Sequence, residues 1–63
     1  MNPDANIRET TALYRQETLS SADVARLAEL REAYGAWRAS GGFAASSELL
    51  RDMAAAYDAR VSS

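Results

Sequence analysis

The stretch LSSADVARLAELREAYGAWRASGGF, residues 19–43, carries both ends of one helix and the stripe that such a helix would bury. With Ser20 as N-cap, Asp23 falls at N3, which makes a capping box with aspartate in the usual glutamate position. Leu19 and Val24 then occupy the N′ and N4 positions of a hydrophobic staple, so two independent signals set the same start. Leu27, Leu30, Tyr34 and Trp37 follow at 3-4-3 spacing, within about 80° of arc on a helix. Arg31 and Arg38 flank the stripe, where their alkyl stems can cover its edge while the guanidinium groups reach water. Gly41-Gly42 closes the segment, because a helix C-cap favours the left-handed backbone that glycine adopts without strain. The reading is a helix over 21–40, with Phe43 placed to fold back on its last turn. Gly35 lies with Ala28 and Ala39 in a small-residue strip, which fits either a tolerated glycine or the close approach of another helix.

Working outward, Asn2-Pro3-Asp4 marks an earlier helix start. Asn2 serves as N-cap, Pro3 suits the first helical position, and Asp4 places negative charge where the helix dipole favours it. Ile7, Leu13 and Tyr14 are the only large apolar groups there, and Thr10 and Thr11 lower the helix propensity. The expectation is a helix over 3–18, looser toward its end. Beyond Phe43, Leu50, Met53 and Tyr57 recur at i, i+3 and i+7, with Leu49, Ala54 and Val61 at the margins, which predicts a third helix over 45–60. The short connection makes the second and third helices antiparallel neighbours. The expected fold is all-α, one small domain of three helices with an antiparallel helix 2–helix 3 hairpin. Its expected core is the stripe on the second helix, closed by the third helix and by Ile7, Leu13 and Tyr14.

Composition narrows the function. Of 63 residues 48% are hydrophobic, but 14 of these are alanine, and Leu, Ile, Val and Phe together number ten. A domain of about this length buries only about 60% of the surface that its unfolded chain exposes, so its stability margin is thin. Cysteine and histidine are both absent. That excludes a disulfide scaffold, a Cys/His zinc module, a thiol enzyme and a His-based triad. All seven bases are arginine, so Ser–Lys and Schiff-base chemistry are excluded as well. A net charge of −2 and a pI near 4.9 lack the basic footprint of a nucleic-acid binder. Residues 1–6 do not read as a signal peptide, and no apolar run approaches the roughly eighteen residues of a membrane span. The expectation is a protein of the cytoplasm, without a membrane, a cofactor, a metal or a small-molecule substrate.

Glu48 and Asp52 stand at i, i+4, as a pair of catalytic carboxylates would need to, yet they read as a solvated acidic face, and no glycine-rich phosphate loop or nucleophile elbow accompanies them. An enzyme is not expected. Ser46-Ser47-Glu48-Leu49-Leu50-Arg51 looks like the opening of the second helix of ribbon-helix-helix repressors. A small dimeric DNA-binding regulator is therefore the alternative, with Thr10 to Gln16 as its strand. The favoured reading is a protein-interaction module that self-associates or binds another protein, since Trp, Tyr and Arg dominate interface hot spots. Its candidate interface residues are Leu27, Leu30, Tyr34, Trp37, Arg38, Phe43 and Tyr57.

One resemblance spans residues 2–43. Asn2-Pro3, Asn6-Ile7, Glu9, Asp23, the run Arg26-Leu27-Ala28-Glu29-Leu30, Ala33, Trp37 and Gly41-Gly42-Phe43 follow an N-P-x-x-N-L-x-E, RLAEL, W-x-x-x-G-G-F order. This order is similar to that of short hypothetical proteins encoded by phages of actinobacteria and by their hosts. Ala36 stands where such proteins carry an acid, and Ala44-Ala45-Ser46 continues where they carry a proline. The resemblance implies a phage or prophage setting and an accessory role, so the cytoplasm concerned would be that of a host cell. It implies no activity and no functional residues.

Overall fold

The computed structural model describes residues 2–41 and 44–62. They form three helices, α1 (Pro3–Arg15), α2 (Ser21–Ser40) and α3 (Ser47–Ser62), with no strand among the described residues. The helix starts follow from side-chain chemistry. Asn2 Oδ1 accepts the Ala5 N–H at 2.7 Å, with Pro3 directly behind the cap. At α2 the capping box is reciprocal: Ser20 Oγ accepts the Asp23 N–H at 3.1 Å and Asp23 Oδ2 accepts the Ser20 N–H at 3.2 Å. Gly41 ends α2 in the left-handed region at φ 76°. Phe43 and its expected fold-back lie outside the described residues.

Helix α1 ends at Arg15, three residues before the sequence expectation, with Gln16 extended at φ −69°, ψ 137°. The group that meets the carbonyls at this end lies far along the chain. Arg60 of α3 donates Nη1 to the carbonyls of Tyr14 at 3.3 Å and Gln16 at 2.5 Å. A helix must find partners for its last carbonyls, and here a guanidinium supplies them. Helix α3 begins at Ser47 rather than residue 45, with the Ser46 carbonyl accepting the Leu50 N–H at 3.1 Å.

The packing corrects the expected core. Helix α1 sits between the other two, and the close backbone contacts run from α1 to α3 and from α1 to α2. An α2–α3 hairpin is compatible with this arrangement, but α2 and α3 rest on α1 rather than on each other. Asn6, Thr10 and Leu13 form one i, i+4, i+7 stripe on α1, and Ile7, Thr11 and Tyr14 form a second beside it; all six are buried. By contrast α2 buries only Leu30 and α3 only Ala56. Counting large apolar groups placed the centre on α2. Small polar side chains on α1 suit a helix flanked on two sides, provided that their hydrogen bonds close. Thr11 meets that condition by donating Oγ1 to the Ile7 carbonyl at 2.8 Å.

The seam between α1 and α2 fixes their antiparallel register, pairing Glu9 with Arg26 and Asn6 with Leu30. The Cα radius of gyration is 11.6 Å, against about 10.6 Å for a compact chain of this length, as a bundle with one open side would give.

Gly35 decides between its two readings. It is exposed, and a Cβ built on it meets nothing within 4 Å, so no neighbouring helix requires the glycine. Gly35→Ala should therefore stabilise the chain by about 1 kcal/mol, read as a higher urea midpoint at unchanged slope. A lower midpoint would show that the position is constrained after all.

Candidate functional site

Because α2 and α3 each lean on α1 without meeting, a groove runs between them. Its floor is Asn6, Thr10 and Tyr14 of α1, its α2 wall Arg31 and Tyr34, and its α3 wall Met53, Ala54 and Tyr57. It comprises two cavities, of about 110 and 270 Å³, which share Tyr14, Arg31 and Met53. Tyr57 leans edge-on against the buried Tyr14, with centroids 5.3 Å apart and planes at 63°. That geometry favours the positive edge of one ring against the negative face of the other. Tyr57 nevertheless keeps 41% of its surface exposed. On the opposite rim Arg38 lies over the Tyr34 ring at 5.7 Å and donates Nη1 to its hydroxyl at 3.3 Å. Arg31, at the mouth, is exposed and makes no ion pair within the described residues.

The sequence candidates separate in three dimensions. Tyr34 and Tyr57 line the groove, and Arg38 braces Tyr34. Leu30 is 2% exposed, so the fold itself uses its side chain. Leu27 is half-buried on α2. Trp37, also half-buried, lines a different recess of about 330 Å³ along the α1–α2 seam, with Asn6, Arg26, Glu29 and Ala33. Phe43 lies outside the described residues. Tyr14, Met53 and Arg31 complete the groove, although sequence reasoning had assigned the first two to the core and the third to the edge of a stripe. The one available signal was that Asn6 and Thr10 share the spacing of Leu13, which marks a buried polar stripe rather than an exposed one.

Beside the groove, the seam is electrostatic. Arg26 meets the Glu9 carboxylate through Nε at 2.6 Å and Nη2 at 2.9 Å, and Glu29 through Nη1 at 3.3 Å. Arg26's hydrogen bonds hold the Glu9 carboxyl below its ordinary range; partial desolvation opposes this and Arg26's positive charge adds to it. Asn6 is fully buried and donates Nδ2 to the Leu30 carbonyl at 2.9 Å, while its Oδ1 has no partner among the described residues. Asp52 of the expected acidic face pairs with Arg15 at 3.0 Å. Among the described residues no group of three or more acidic side chains converges as a metal site would require, and no helix is long and apolar enough to cross a membrane. The segment that a ribbon-helix-helix protein would need as a strand is helical through Arg15 and turns Thr10, Thr11, Leu13 and Tyr14 inward.

Comparison with protein-family models, with curated proteins and with solved structures found no match to this chain.

Two outcomes test the seam. In Asn6→Asp a carboxylate replaces the donor to Leu30 in a fully buried site, which should cost about 3 kcal/mol or more at neutral pH. Protonation restores a donor, so the loss should shrink on acidification; thermal melts against pH read both effects, and a neutral substitution would mean that the site is wet. For Glu9, a carboxyl lowered in the fold gives stability that is complete above the ordinary glutamate range and lost as pH falls through the lowered value. Glu9→Gln should therefore flatten the acid limb of the stability profile, and an acid limb as steep as the parent's would show that the pair is not coupled to folding.

Proposed function

We propose that this chain is a non-enzymatic protein-interaction module that presents the groove between α2 and α3 to another protein surface. The observation that carries this reading is the open side of the bundle. Two helices share one central helix, and their facing edges expose Tyr34, Met53 and Tyr57 above Tyr14. A tyrosine supplies a large apolar area with a polar tip at small entropic cost, and methionine adapts its shape to a partner. Arg31 at the rim, which makes no ion pair among the described residues, adds a planar donor of the kind that interfaces favour. Three of the carboxylates, Glu9, Glu29 and Asp52, are already committed to Arg26 and Arg15, which agrees with a binding role better than with acid–base chemistry. The resemblance to small phage-encoded proteins supports an accessory role in the cytoplasm of a host cell. Within that role the chain associates with itself or with a host or phage protein.

A photo-crosslinking residue at Tyr57 compared with one at the exposed Arg8, on the outer side of α1, tests the reading in cells that produce the chain. Position 57 should yield a discrete adduct and position 8 should not. Equal labelling at both, or none at either, would remove the groove as an interaction surface.

A further inference from the structure

We infer that the occupant of the groove is a second copy of this chain, docked about a twofold axis so that each copy's α3 edge fills the other's groove. This deepens the interaction-module reading and rests on it. The face carries its own complement. Beside the groove, Tyr57 and Val61 stand out from α3 at 41% and 66% exposure. With Ala54, Tyr57 and Val61 at i, i+3 and i+7, they form a continuous ridge. A face with one apolar ridge next to one apolar groove is self-complementary, which is what a twofold interface demands.

Charge selects the same occupant. Arg31 lines the groove from α2. Asp58 follows Tyr57 on α3 and lies one turn beyond Ala54, so it flanks the ridge. Both are exposed, and neither side chain makes an ion pair within the described residues. Twofold docking sets Arg31 of each copy against Asp58 of the other, forming two equivalent pairs. A foreign partner would have to supply both an apolar ridge and a carboxylate, whereas a second copy brings the two side by side on α3.

Charge reversal tests the docking. The parent chain should sediment as a dimer across the micromolar range. Arg31→Glu alone and Asp58→Arg alone should each weaken dimerisation by about tenfold or more, because each homodimer then faces like charges twice. Mixed in equal amounts, the two variants should form a heterodimer, since both pairs are then opposite in sign; native mass spectrometry resolves it by mass. Helix content by circular dichroism should be unchanged in both, as each substitution is exposed. A parent chain that stays monomeric at all concentrations would overturn the inference, and so would a dimer that neither variant weakens or whose variants fail to pair. A monomer that still gives a foreign adduct from position 57 removes the second copy and keeps the interaction module, whereas absence of any adduct removes the module itself.

Discussion

Burial of α1 on two adjacent stripes is the constraint on which the rest of the structure depends. A thirteen-residue helix is marginal in isolation, and this one carries only three large apolar side chains. It persists because Asn6 reaches into the backbone of α2, Thr11 satisfies its hydroxyl on its own helix, and Arg60 closes the C-terminal carbonyls from α3. The dependence is mutual. With the close packing of α2 and α3 both directed at α1, removing the central helix would leave two half-polar helices with no common partner. The unpartnered Asn6 Oδ1 is the cost of this design, a buried acceptor whose desolvation the neighbouring contacts must offset.

Local signals were legible in the sequence, and tertiary ones were not. The Asn2 cap, the Ser20–Asp23 box and the left-handed stop at Gly41 are encoded within four or five residues of where they act, so reading them needs no knowledge of the fold. The end of α1 could not be read this way, because the group that terminates it is Arg60, 44 residues from Gln16. The core was misplaced for a related reason. Periodicity weighs residues by hydrophobicity, while the position of α1 between two helices rewards small side chains whose polar atoms close locally. Half of the groove was visible as an aromatic excess, in Tyr34 and Tyr57. The other half, Tyr14 and Met53, looked like ordinary core until the separation of α2 from α3 brought them to an open side.

Several residues of the pattern read over residues 2–43 come together on one side of the fold. Asn6, Glu9, Arg26, Glu29, Leu30, Ala33 and Trp37 all lie along the α1–α2 seam, as hydrogen-bond partners or as walls of its recess. This seam is where the first helix attaches to the second. Tyr34, Met53 and Tyr57, which face the groove, stand outside it.

The reach of Arg60 to Tyr14 has a further consequence for the ordering of the chain. The contacts between α1 and α2 span 17 to 24 residues, whereas those between α1 and α3 span 37 to 46. Closing a longer loop costs more chain entropy, so each contact of α3 with α1 is set against a larger ordering cost than those of the seam.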